Sequence, residues 1–117
     1  MSGAMAHQAG LAAEEAVERH YRRQGAKPLH RRWRRRTGEI DLVLCDPDDT
    51  LVFVEVKARR HHADAAAAIT PRARQRISDT ILGYLAETGR DLGTEIRFDV
   101  ALVDRMGAID CIENALA

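Results

Sequence analysis

Two apolar runs, Gly38-Glu39-Ile40-Asp41-Leu42-Val43-Leu44-Cys45 and Leu51-Val52-Phe53-Val54-Glu55-Val56-Lys57, flank the turn segment Asp46-Pro47-Asp48-Asp49. Both are rich in β-branched and aliphatic residues and are bounded by turn formers, so residues 40–45 and 51–57 read as a β-hairpin. Side chains alternate along a strand, which places Glu55 and Lys57 on one face and Val56 on the other. The position of Asp41 depends on register. Pairing Cys45 with Leu51 around a three-residue turn, Pro47-Asp48-Asp49, sets Val43 against Phe53 and Asp41 against Glu55, all on one face. A slip of one residue sends Asp41 to the opposite face. The first register is the expectation; sharing one cation then needs the carboxylates within about 8 Å, given metal–oxygen bonds of roughly 2–2.6 Å.

The residue types explain why this matters. Two carboxylates converging among Ile40, Leu42, Val52, Val54 and Val56 repel one another in a poorly solvated place, so something positive must compensate. Oxygen ligands suit a hard divalent cation, Mg²⁺ or Mn²⁺. Such an ion polarises a phosphate and acidifies its bound water. Lys57 beside it can orient or deprotonate that water. Taken alone, an E-V-K triplet in a strand is more often a salt-bridged surface, and G-E-I-D is equally weak. The combination is more specific: an acid-bearing strand, a turn, a hydrophobic strand ending E-x-K, and an upstream helix bearing Glu14.

Outward from the hairpin, residues 6–24 read as a helix, with Ala9, Ala13, Ala16, Val17, His20 and Tyr21 recurring at helical spacing. Glu14 borders that stripe, and Gly25 stops the helix. Residues 27–35 read as a strand with Leu29 and Trp33 on one face and His30, Arg32 and Arg34 on the other; Thr37-Gly38 turns the chain. Residues 59–68 read as a loop. Thr70-Pro71 pairs an N-cap with a proline at the first helical position. The helix it starts runs to about Glu87, buries Ala73, Ile77, Ile81, Tyr84 and Leu85, and stops near Gly89. In the strand at residues 95–103, Ile96, Phe98, Val100 and Leu102 share a face, and Arg97 pairs with Asp99. A short strand at 108–112 ends the order α-β-β-β-α-β-β, a mixed sheet flanked by helices.

At 117 residues, 45% hydrophobic and 31% charged, the chain suits a single α/β domain spanning residues 1–117. Eighteen basic and eighteen acidic residues cancel, but they are not mixed evenly. Residues 19–36 hold nine Lys or Arg and no acid, whereas acids dominate from Glu39 to Glu55. One patch suits polyanions and its neighbour suits cations. Cys45 and Cys111 lack metal-ligand or disulfide-framework spacing. No apolar run reaches a membrane span and no signal segment opens the chain, which points to a soluble cytoplasmic protein with no membrane partner.

Gly38-Glu39-Ile40-Asp41-Leu42 followed by Val52-Phe53-Val54-Glu55-Val56-Lys57-Ala58-Arg59 resembles the signature of the YraN-like family of predicted bacterial endonucleases. That family lies within the PD-(D/E)xK, restriction-endonuclease-like group, alongside archaeal Holliday-junction resolvases. The likeness extends to the Glu14 helix, Trp33-Arg34, Thr70-Pro71 and Arg97-Phe98-Asp99-Val100. It implies a restriction-endonuclease-like αβββαβ core, Asp41 and Glu55 as metal ligands, and the Val56 carbonyl as a further one. It also implies Lys57 as the catalytic lysine and Glu14 as an outer acidic contributor. The chain departs from the pattern at Ala13 (usually Gly), at Arg32 (usually Asn), at Ala73-Arg74 (where a Lys is common) and in the alanine-rich 65–68 segment. The central acids and Lys57 are kept; substrate contacts from the second helix are put in question.

The remaining candidates follow from charge and position. Arg31, Arg32, Arg34, Arg35 and Arg36, with Arg59, Arg72 and Arg74, and Arg76 beside them, form the expected nucleic-acid surface, since arginine favours bidentate phosphate contacts. Trp33 reads as core in preference to a base-stacking ring. His61-His62 lack metal-ligand spacing. Glu39, on the side opposite Ile40 and so with Asp41, is a candidate either to support the metal ligands from behind or to bind a second metal. The leading expectation is an endonuclease dependent on Mg²⁺ or Mn²⁺ that hydrolyses phosphodiester bonds in DNA, branched DNA included. In it Asp41, Glu55 and Lys57 are catalytic, and Asp41, Glu55, Glu14 and Glu39 are metal-facing. Junction cleavage would imply a homodimer. The alternatives are a nucleic-acid-binding module that keeps the fold without cleaving, and an assembly protein whose metal serves stability.

Overall fold

The structure, a computed structural model, describes residues 3–58 and 69–116, with side chains described from residue 10 onward. The elements are α1 (Gly3–Arg23), β1 (Lys27–Arg35), β2 (Gly38–Cys45), β3 (Leu51–Ala58), α2 (Pro71–Glu87), β4 (Ile96–Val103) and β5 (Ile109–Ile112). Their order is the expected one. The sheet runs β1-β2-β3-β4-β5; β3 and β4 are parallel and the other neighbours antiparallel. Helix α2 sits between the two parallel strands in sequence, as a parallel connection requires.

Each face of the sheet has its own core. On one, Ala13, Val17 and Tyr21 of α1 pack on Leu42, Leu44, Val52, Val54 and Ala101. On the other, Ile81, Tyr84 and Leu85 of α2 pack on Ile40, Val43, Phe53, Phe98 and Val100. Central strands covered on both sides must be apolar on both sides, which explains the unbroken run from Leu51 to Val54. Few aromatics are available; Tyr84 meets Trp33, His30 and Phe53 edge-on, with centroids 4.7–5.3 Å apart.

The helix ends follow local chemistry. Thr70 Oγ1 accepts from the Ala73 amide at 3.1 Å, with Pro71 in the first turn. Gly25, at φ 93°, and Gly89, at φ 72°, follow the two helices in a conformation that glycine adopts freely. The β2–β3 register is the expected one, Cys45 with Leu51 and Val43 with Phe53. Its turn is the three-residue form: the Asp49 amide donates to the Asp46 carbonyl at 3.1 Å, the Asp46 amide donates to the Thr50 carbonyl at 2.9 Å, and Asp49 sits at φ 63°.

Strand β1 departs from the simple alternation. Its register with β2 shifts between Pro28 and His30, and Arg32 adopts φ 54°. Each irregularity rotates the following side chains. As a result His30 packs with Trp33 and bonds Tyr84 (Nδ1 to hydroxyl, 2.8 Å) instead of facing away from it, while Leu29 is exposed. Smaller differences lie at element ends: α1 begins at Gly3, β5 at Ile109, and Ile96 is exposed at the start of β4.

Candidate metal and phosphate site

Glu55 and Lys57 leave β3 on the α2 side, their charged ends 3.0 Å apart. They line a cleft of about 400 Å³ together with Gly38, Glu39, Ile77, Arg76 and Thr80. The close approach of α2 shapes this cleft. Thr80 is fully buried, donates to the Arg76 carbonyl at 2.7 Å and lies 3.0 Å from Thr37 Oγ1. A Cβ on Gly38 would stand 3.0 Å from Thr80 Oγ1, so a larger residue here would press on the docked helix.

Asp41 takes a different position. Ladder pairing between β2 and β3 ends at Leu42–Val54, one step before Asp41 would meet Glu55. Beyond that point Asp41 Oδ2 accepts the Val56 amide at 2.8 Å, taking the place of a backbone acceptor. Its carboxyl lines clefts on the α1 side with Glu14, Arg32 and Leu42. Ile40 and Val43 lie in one core and Leu42 and Leu44 in the other. The alternation of β2 is therefore broken at Asp41, opposite the left-handed Arg32.

The two halves of the signature thus open on different clefts, yet they remain electrically coupled. Burial pushes the Asp41 carboxyl up from 3.8 to about 6; the Val56 amide opposes this, the charges on Glu14 and Glu55 add to it, and Lys57 again opposes it. Glu14 accepts from Arg32 Nη2 at 3.0 Å and Nε at 3.2 Å. Glu39 is mostly exposed and stands 3.8 Å from Arg34. Among the described residues no three His, Cys, Asp or Glu side chains are gathered closely enough to hold a metal ion. The donor chemistry nevertheless fits a hard cation: oxygen ligands only, a half-buried carboxyl raised by desolvation and then by its acidic neighbours, and Asp41 Oδ1 without a hydrogen-bond partner among the described residues.

The basic stretch is largely spoken for. Arg31 bonds Glu18 (Nη2 to Oε2, 2.8 Å), Arg32 bonds Glu14, Arg34 is near Glu39, and Arg35 bonds Glu87 at 2.8 Å while stacking 3.7 Å over Trp33. Trp33 is buried under that guanidinium, a core residue as expected. Arg74 donates to the Leu116 carbonyl at 3.0 Å. The side chains of Arg36, Arg72 and Arg76 have no partner among the described residues, and Arg59 and His61-His62 lie outside them. Only the pairings of Arg31 and Arg32 had a signal in the sequence, the four-residue spacing of Glu14 and Glu18 on the helix that meets β1. The docking pair Gly38 and Thr80 had none, because it joins residues 42 apart (80 − 38).

Away from the clefts, Asp99 is completely buried and fully bonded. It accepts from Tyr21 Oη at 2.7 Å, Arg97 Nε at 3.0 Å and the Asn114 amide at 3.0 Å. The expected Arg97–Asp99 pair is present, and it also ties α1 and the C-terminal segment to β4.

The fold is similar to that of a repair endonuclease from Pyrococcus abyssi, at a TM-score of 0.50 and 21% identity over 86% of this chain. The chain spans 39% of that larger protein. A UPF0102 protein of Cereibacter sphaeroides is 49% identical over all of this chain and 99% of its own length. Relatives in Roseobacter denitrificans and Pseudomonas aeruginosa are 45% and 42% identical, covering 99% and 91% of this chain and 89% and 90% of their own lengths. Residues 13–103, which include the hairpin and the cleft on the α2 side, match the profile of the uncharacterised protein family UPF0102, the YraN family. With an α/β fold of the restriction-endonuclease-like kind, the chain belongs to that family.

Proposed function

We propose that this protein is a divalent-metal-dependent nuclease that hydrolyses phosphodiester bonds in DNA. One observation carries the reading: a carboxyl raised to about 6 by burial and by two neighbouring acids, Asp41, is electrically coupled to the Glu55–Lys57 pair on the other face of the same hairpin. Uncompensated acid charge beside a lysine suits a site that waits for a cation and a phosphate. In this reading Asp41 and Glu55 would hold Mg²⁺ or Mn²⁺ with Glu14 and Glu39 at the margin, which requires the Asp41 carboxyl to turn from the α1 side toward Glu55. The ion supplies polarisation of the phosphate. Lys57, released in part from Glu55, orients the attacking water and offsets the charge growing on the phosphate oxygens. The Pyrococcus abyssi protein of similar fold is a repair endonuclease, which agrees with this reading.

The test is cleavage of linear, single-stranded and four-way-junction DNA with Mn²⁺ or Mg²⁺, run beside Asp41→Asn and Lys57→Met, with calorimetric Mn²⁺ binding on the same samples. Metal-dependent cleavage lost in both variants, with Mn²⁺ binding lost only in Asp41→Asn, is the expected outcome. A second reading, a nucleic-acid-binding module without cleavage, is favoured by the separation of Asp41 from Glu55 and Lys57 into different clefts. DNA binding that survives both substitutions, with neither metal uptake nor cleavage in the parent protein, would select it.

A further inference from the structure

We infer that Arg76 is the residue that grips the nucleic-acid backbone at this site, and that the arginines of β1 are not. The inference rests on the nuclease or DNA-binding reading above and deepens it. Arginine richness in residues 31–36 suggests a phosphate-binding strand, but the structure turns four of those side chains onto acids. Arg31, Arg32, Arg34 and Arg35 face Glu18, Glu14, Glu39 and Glu87. A guanidinium already paired with a carboxylate has little net charge to offer a polyanion.

Inside the cleft the balance is different. Both acids that line it already have a cation beside them, Lys57 3.0 Å from Glu55 and Arg34 3.8 Å from Glu39, so these pairs leave no spare positive charge in the cleft. A phosphate entering there needs a further, uncommitted cation. Arg76 lines the same cleft, its side chain is exposed, and it has no ion pair among the described residues. The acid nearest to it along the helix is Asp79, which accepts instead from Gln75 at 2.9 Å. The backbone that carries Arg76 is held firmly, because its carbonyl accepts from buried Thr80 where α2 meets Gly38. A flexible cationic fork on a rigid mount suits bidentate contact with a phosphate oxygen pair. Arg74, nearer the start of the same helix, is turned away onto the Leu116 carbonyl.

The experiment is fluorescence anisotropy of a labelled DNA duplex with EDTA present, titrated with the parent protein, Arg76→Gln, Arg76→Lys, Arg31→Gln and Arg35→Gln across a range of salt. Losing one charge-assisted contact should weaken binding about tenfold for Arg76→Gln and reduce the slope of log Kd against log salt by about one. Arg76→Lys should recover part of the affinity and the full slope, since the charge stays and the fork is lost. Arg31→Gln and Arg35→Gln should each weaken binding less than Arg76→Gln does. Parent-like affinity and slope in Arg76→Gln, with larger losses in Arg31→Gln or Arg35→Gln, would overturn the inference while leaving DNA binding intact. Failure of the parent protein to bind DNA at all would instead remove the reading beneath it.

Discussion

At the scale of single residues, Asp41 decides how the candidate site behaves. Its carboxyl is raised from 3.8 to about 6, by burial first and by Glu14 and Glu55 next. Between about pH 4 and 6 the folded chain therefore holds a proton that the unfolded chain has released. Stability from this group is fully present below pH 4 and is lost as the pH rises through 6. Asp41→Asn cannot ionise, and its side-chain oxygen can still accept the Val56 amide. In EDTA, thermal melts should show Asp41→Asn more stable than the parent above pH 6, by up to a few kcal/mol, and the two converging near pH 4. Added Mn²⁺ should raise the melting temperature of the parent alone, since an ion that binds only the folded chain stabilises it. Arg32 is the other decisive residue. It accepts a left-handed backbone at φ 54° and spends its guanidinium on Glu14.

At the scale of elements, two contacts hold the layers in place. The first is the approach of α2 to the β1–β2 turn. Gly38→Ala sets a methyl 3.0 Å from Thr80 Oγ1, and denaturant melts should record a loss of about 1–3 kcal/mol. Thr80→Ala in the same chain removes the obstructing atom. A double-mutant cycle should return a coupling of at least about 0.5 kcal/mol in the compensating direction, where additive losses would refute the contact. The second is buried Asp99, which joins Tyr21 of α1, Arg97 of β4 and the Asn114 amide. Asp99→Ala strands a guanidinium, a hydroxyl and an amide, and should cost about 3–5 kcal/mol in equilibrium unfolding. Arg97 also lies 3.9 Å from Asp46 at the hairpin turn. The network therefore supports the hairpin that bears the candidate site from the far end of the sheet.

At the scale of the whole molecule, the two cores make the middle of the sheet the stable part and the site its boundary. Val43, Leu44, Val52, Phe53 and Val54 are each fully buried, while β1 and β5 are edge strands with exposed positions. Native-state hydrogen exchange should be slowest for amides of β2 and β3 near Val43 and Phe53, and faster in β1 and β5. Slow exchange confined to the edges would contradict this layering. The Val56 amide is informative here, because its acceptor is the Asp41 side chain. Asp41→Ala should speed its exchange while leaving Phe53 unaffected. Among the described residues no helix is long and apolar enough to cross a membrane.

The order of elements, the hairpin register, the N-cap at Thr70 and the Arg97–Asp99 pair were all legible in the sequence, because each depends on neighbours a few residues apart or on alternation along one strand. The set Asp41, Glu55 and Lys57 was proposed from charges stranded in apolar strands, and the structure divides it, with Glu55 and Lys57 on the α2 side and Asp41 on the α1 side. The direction in which Asp41 points was not legible. It depends on the irregularity shared by Arg32 and Asp41 across two strands, and on a side chain replacing a backbone acceptor where the ladder ends. Nor could composition reveal which arginines are free, because their partners Glu14, Glu18 and Glu87 come from helices packed against β1. Residue types and local periodicity determine which charges the chain owns and which elements bear them. Only the packing of helices on the sheet decides which charges neutralise one another and which, like Arg76, face the cleft with no ion pair among the described residues.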